Sequence, residues 1–108
     1  MPGIREFLAT ATPQLIADLT LYPTGDGGKK LTAQPGYGCP CTVSKTSPPI
    51  SYDGWPLLKE PMNPGESRRV GFVFLSGEEA AAVFRKAGVF YLWEGRFIGE
   101  AVVGPPNG

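Results

Sequence analysis

The amino-acid sequence predicts an all-β protein, a single antiparallel barrel of about six strands with one short helix. Three observations carry this. Segments that alternate apolar and polar residues recur along the chain, with turn residues between them. Glycine (15) and proline (12) make about a quarter of the 108 residues, a composition that favours short strands and tight turns. Only the stretch 76–88 has residues suited to both ends of a helix.

Size and charge set the outer limits. A chain of 108 residues suits one domain, and 42% hydrophobic residues suffice for one packed core without metals or staples. The expected division is an N-terminal arm over 1–14, the barrel over 15–103 and a frayed tail over 104–108. Ten basic and ten acidic residues cancel, so long-range attraction to nucleic acid or an anionic membrane is weak. A local basic patch remains open. No apolar run is long enough to span a bilayer. Residues 1–8 have neither the basic start nor the apolar stretch of a secretory signal, so the expected location is the cytoplasm.

Taken in order, Ile4, Phe7 and Leu8 have helical spacing and suit a short arm that docks on the body. Ile16–Tyr22 alternates, with Ala17, Leu19 and Leu21 on one face, and reads as a half-buried strand. Pro23–Gly28 is a loop. Tyr37–Lys45 reads as a strand in which Pro40 argues for an edge or a bulge. The proline-rich stretch 46–64 is poorly periodic and offers one short strand around Ile50–Tyr52. In Glu66–Leu75, Val70, Phe72 and Phe74 alternate with Gly71, Val73 and Leu75, which predicts a strand covered in part on both sides.

The helix is expected over 78–86. Ser76 can cap its amides, Glu78 and Glu79 suit its positive end, Arg85 and Lys86 suit the other, and Gly88 can stop it. Val83 and Phe84 should be buried. Val89–Val103 then reads as a closing hairpin, two β-branched and aromatic runs around Glu94-Gly95.

Sites of chemistry are few. Cys39 and Cys41 lie two apart, about 7 Å along a strand, which is awkward for a disulfide and too few ligands for zinc. Structural, reduced thiols are the expectation, and the chain has no histidine to activate them. Asp26–Lys30 lacks the spacing of a phosphate-binding loop and reads as an exposed basic turn, with contact to a phosphate backbone or an acidic partner as the alternative. Arg68 and Arg69 read as solvating charges. Most aromatics belong to the core. Tyr91 and Trp93, however, share a face opposite Phe90 and Leu92, and an exposed pair would form a binding surface. Without histidine a Ser-His or Cys-His machine is excluded, and nothing pairs two carboxylates.

Three segments, in order, resemble the third, C-terminal domain of translation elongation factor Tu. Gly27-Gly-Lys-Lys-Leu-Thr-Ala-Gln-Pro-Gly-Tyr37 is similar to that family's Gly-Gly-Arg/Lys loop and Gly-Tyr strand start. Met62-Asn-Pro-Gly-Glu66 is similar to its Met-x-Pro-Gly-Asp turn, and Phe90–Val103 to its closing hairpin. The resemblance implies a Greek-key barrel and a free-standing bacterial protein with a translation-related fold. It implies RNA-facing roles for Glu94 and Gly95 in the hairpin and for Gly27, Gly28 and Lys29 in the loop. The chain departs from the pattern at Gly38, where the family has arginine, in a hairpin turn one glycine shorter, and in the helix at 78–86. The 108 residues hold no GTPase domain and no phosphate-binding loop.

Three functions compete. The first is a non-enzymatic binding module that presents barrel loops and an aromatic patch to a protein partner, such as an inhibitor, immunity or decoy protein. The second is structured-RNA binding through the Gly-Gly-Lys loop and the hairpin, which needs Lys29, Lys30, Arg68 and Arg96 to cluster. The third is a thiol-based redox protein. The candidate binding residues are Gly27, Gly28, Lys29, Lys30, Tyr91, Trp93, Glu94, Gly95 and Arg96. No catalytic residue, metal, cofactor, nucleotide or membrane is expected. The oligomeric state is open.

Overall fold

Six antiparallel strands close into a barrel in the computed structural model, which describes residues 11–45 and 51–104. They are β1 (Leu15–Leu21), β2 (Cys39–Thr42), β3 (Ser51–Pro56), β4 (Ser67–Phe74), β5 (Val89–Trp93) and β6 (Phe97–Val103). Around the wall the order is β1-β4-β3-β2-β5-β6, and β6 pairs back onto β1. Strands β2, β3 and β4 neighbour one another in turn while β1 lies beside β4, which is a Greek key. Closure leaves no free sheet edge among the described residues.

Alternation determines what faces inward. In β1, Ala17, Leu19 and Leu21 are buried as expected, and Leu15 joins them. Val70, Phe72 and Phe74 of β4 and Phe90 and Leu92 of β5 complete the lining. Four phenylalanines form its aromatic centre: Phe72 and Phe90 lie 5.1 Å apart between ring centres, Phe74 and Phe84 5.1 Å, and Phe84 and Phe90 4.4 Å. Each contributes about 2–3 kcal/mol by leaving water.

The helix α1 (Glu78–Ala87) plugs one end of the barrel with Phe84. Its C-terminus stops at Gly88 (φ 83°), whose N–H donates to the Phe84 carbonyl. The N-terminus corrects the sequence reading. Gly77, with φ 61°, takes the cap position, and no side chain caps the helix. The chain must turn from β4 into the helix within three residues, 75–77, and that reversal uses a positive φ at Gly77, so Ser76 is displaced outward. Ala80 and Ala81 are buried beside Phe84, while Val83 is only half-buried.

Other expectations change in detail. β2 is shorter than Tyr37–Lys45, because Tyr37 closes a turn and the strand ends at Thr42. Pro40 is on no free edge, but it pairs with Asp53 just outside the two-residue β2–β5 ladder. β3 is a six-residue strand between β2 and β4 rather than a short one around Ile50–Tyr52, and Ile50 lies outside the described residues. Its inward positions include Gly54, where a Cβ would stand 2.8 Å from the Phe74 ring. The ring fills that space, so the strand shows little apolar periodicity. Leu75 lies beyond β4 and is 72% exposed, while Val73 is covered and Gly71 packs on Pro13 and Leu57. Residues 1–10 of the expected arm and 105–108 of the expected tail lie outside the described residues. Gln14 extends the β4 pairing (its N–H to the Phe72 carbonyl, 2.8 Å), and Gly104 is tied to Ile16 at 2.9 Å.

Candidate binding surface at the turn end of the barrel

Opposite the helix, the barrel is closed by loops rather than by a plug. Two Pro-Gly turns build this end. In Gln34–Tyr37 and Asn63–Glu66 the fourth N–H donates to the first carbonyl (2.9 and 3.0 Å), with Gly36 at φ 95° and Gly65 at φ 89°. Proline followed by a left-handed glycine is the chemistry of a type II turn. The residues just before the turns, Ala33 and Met62, exchange two backbone hydrogen bonds of 2.9 Å. The loop 23–37 is thereby bound to the approach to β4.

The same loop reaches the closing hairpin. Its connection is three residues long, Glu94–Gly95–Arg96, with Gly95 at φ 71° and the Glu94 N–H donating to the Arg96 carbonyl (2.8 Å). Lys29 donates to both Glu94 carboxylate oxygens at 3.2 and 3.3 Å, and the Tyr37 hydroxyl donates to one of them. The Lys29 ammonium also lies 4.6 Å from the centre of the Tyr37 ring. This corrects the reading of an exposed basic turn: Lys29 is 8% exposed, and Gly28 is buried because it packs under the Tyr22 backbone. A lysine at this depth needs a counter-charge, and Glu94 provides it.

Burial tends to push the Glu94 carboxyl up, but the Tyr37 and Lys29 hydrogen bonds outweigh it and hold it below its ordinary value. Tyr37 is driven well above the ordinary phenol range by burial first, then by the neighbouring Cys39 and Glu94. Cys39 and Cys41 are free, buried thiols. Cys41 Sγ donates to the Cys39 carbonyl at 3.6 Å; the interaction between the two thiols pulls Cys39 down and pushes Cys41 up, with burial adding to the rise at Cys41.

Beside this end, the outer wall of β5 and β6 is aromatic. Tyr91 and Trp93 point outward and are half-buried, each edge-on to Phe97 at 6.2 and 4.8 Å. Tyr22, just past β1, adds a second phenol and donates to Glu100 at 2.9 Å. Lys45 lies over these rings and donates to the Tyr22 hydroxyl at 2.9 Å. Burial leads in raising the Tyr22 phenol, and the Tyr22 hydrogen bond raises Lys45.

The structure thus brings the expected residues together. Gly28, Lys29, Lys30, Glu94 and Arg96, with Leu31 and Ile98, line a depression of about 230 Å³. Gly27 turns the loop above it (φ 88°), Gly95 turns the hairpin, and Tyr91 and Trp93 lie on the adjoining wall. Arg68 does not join them. It binds Glu66 and the carbonyls of Glu60 and Pro61, so it fastens the 60–66 segment rather than solvating it. Sequence reasoning missed Tyr22, Tyr37, Lys45 and Phe97 as members of the surface, and Leu31, which is 74% exposed. An apolar residue inside a Gly-Lys-rich loop was the one signal that could have marked Leu31.

A broader groove of about 1300 Å³, lined by Pro13, Pro56, Leu57 and Arg69 among others, is separate from these residues. Among the described residues no three His, Cys, Asp or Glu side chains gather as a metal site, and no helix is long and apolar enough to cross a membrane. No protein-family model and no curated protein matches the chain.

Proposed function

We propose that this barrel is a non-enzymatic binding module whose outer aromatic wall and turn end receive a protein partner. The observation that carries this reading is the contiguous half-exposed set Tyr22, Tyr91, Trp93 and Phe97, adjoining a loop that exposes Leu31. Tyrosine and tryptophan are enriched in interface centres, where a partly apolar ring with a polar tip exchanges water for a partner at little entropic loss. An inhibitor, immunity or decoy protein that copies the elongation factor's surface is one form such a module takes.

Structured-RNA binding is the second reading. Lys29, Lys30 and Arg96 line one depression, which favours it. Against it, the Lys29 charge is matched by Glu94, Arg68 is engaged elsewhere, and the net charge is zero. Those facts weaken attraction to a phosphate backbone.

Affinity capture from cells of the source organism distinguishes the two. A partner retained by the wild type and lost by Trp93→Ala and Leu31→Ser, with melting temperatures unchanged, supports the protein-binding wall. Capture that withstands both changes but disappears after nuclease treatment, or with Lys30→Glu and Arg96→Glu, overturns it in favour of RNA.

A further inference from the structure

The Lys45 ammonium lies 4.9 Å from the ring centre of Tyr22, 4.9 Å from that of Tyr91 and 5.7 Å from that of Phe97. Energetically significant cation–π contacts occur about once per 70–80 residues, so three around one nitrogen are a concentrated feature. The polar side is built too. Lys45 donates to Tyr22 Oη, and Tyr22 donates to Glu100 Oε1, each at 2.9 Å, so the carboxylate's charge is relayed to the cation. Rings and acid sit on strands β5 and β6 and directly after β1, where the barrel holds them. The cation comes instead from an exposed lysine past the end of β2. The frame is fixed and its occupant is a long, rotamer-rich side chain, which loses entropy by staying there.

We propose that Tyr22, Tyr91, Phe97 and Glu100 form a cage for an alkylammonium side chain, a lysine or its methylated forms, carried by the protein partner, with Lys45 as the internal occupant that yields to it. The proposal rests on the aromatic wall being the binding surface and names the chemistry the wall accepts. A cation is already seated there, which identifies the kind of group that the site stabilises. Because Lys45 competes, the apparent affinity of the intact protein is reduced by the fraction of time the cage is filled.

The test is a titration with choline and with trimethyl-lysine, followed by the ring resonances of Tyr91 and Phe97 and the Trp93 indole. Lys45→Ala should bind both probes about tenfold more tightly than the wild type, the gain expected when a competing cation–π occupant is removed. The neutral carbon isostere of choline should not bind, and Tyr91→Leu in the Lys45→Ala background should abolish binding. Lys45→Gln repeats the measurement should the alanine variant lose its dispersed spectrum. Absence of binding to both Lys45 variants, or equal binding of the neutral isostere, overturns the proposal. If the probes fail while Trp93→Ala still eliminates the captured partner, the cage falls and the wall stands. If capture survives Trp93→Ala, the wall itself falls.

Discussion

Lys29 and Glu94 lie 65 residues apart along the chain and 3.2 Å apart in the barrel, and their ion pair joins the glycine-lysine loop to the closing hairpin. Because Lys29 is buried and Glu94 is its counter-charge, the pair constrains the shape of the whole turn end.

Glu94→Ala is therefore expected to destabilise the protein by about 1–3 kcal/mol, since it leaves a buried ammonium and the Tyr37 hydroxyl without their acceptor. A solvated turn carboxylate would lose almost nothing. Lys29→Met with Glu94→Leu should recover most of the loss, because no buried charge remains. Urea unfolding of Lys29→Met, Glu94→Leu and the double variant, alongside Glu94→Ala, measures the coupling.

Stability should fall on the acid side. A carboxyl with a lower pKa folded than unfolded contributes stability that is whole above its unfolded value and disappears as pH falls through its folded value. Glu94 is such a group, and so is Glu66, held down by the Asn63 N–H and by Arg68. The wild type should lose stability below about pH 5, and Glu94→Gln should flatten part of that decline and leave the part due to Glu66. Tyr37, raised when folded, acts in the opposite direction: its contribution is whole below its ordinary value of 10.0 and lost at higher alkalinity. Denaturant midpoints across pH for wild type, Glu94→Gln and Tyr37→Phe check both limbs.

Gly28→Ala should be far more damaging than Gly25→Ala. A Cβ on Gly28 would overlap the Tyr22 carbonyl oxygen and stand 2.9 Å from that of Pro23, both rigid backbone atoms, whereas nothing lies within 4 Å at Gly25. Gly95→Val faces open space but must hold a φ of 71°, which costs about 1–3 kcal/mol of strain. Melting temperatures of the three variants should fall in that pattern, with Gly25→Ala closest to wild type.

Phe84→Ala should cost about 3–5 kcal/mol by emptying the plug at the helix end, while Trp93→Ala on the outer wall should change stability much less. Thermal unfolding separates the residue that holds the barrel from one on the proposed binding wall.

Native Cys39 and Cys41 should resist alkylation and react fully only in denaturant, because both are buried in the core. Rapid labelling of the folded protein, followed by mass spectrometry, would contradict this.

Where a local pattern and a local need coincide, the sequence was readable. Leu19 and Leu21 show their inward face by alternation alone, and Gly88 shows the helix stop because only a left-handed residue fits there. β3 was obscured because its inward position Gly54 is filled by a ring contributed from β4. Ser76 looked like a cap because composition does not reveal how sharply β4 must turn. At the candidate site the loop and the hairpin were recognised separately, but the burial of Lys29 depends on long-range closure. Tyr22 belongs to the aromatic wall because β1 pairs with β6, and Lys45 because β2, which it follows, pairs with β5. No spacing along the chain encodes that juxtaposition.

The β1–β6 ladder has a practical consequence. Ala17 pairs with Val103, so the chain enters and leaves the barrel at one place, next to the helix and away from the Glu94–Arg96 turn. A reporter, an affinity tag or a surface tether attached before β1 or after β6 projects from the pole opposite the loops. Two neighbouring linkers, one before β1 and one after β6, would likewise carry the barrel in a surface loop of another protein. Immobilised in either way, it would hold its aromatic wall and turn end outward, and that is the orientation in which capture and titration experiments should be made.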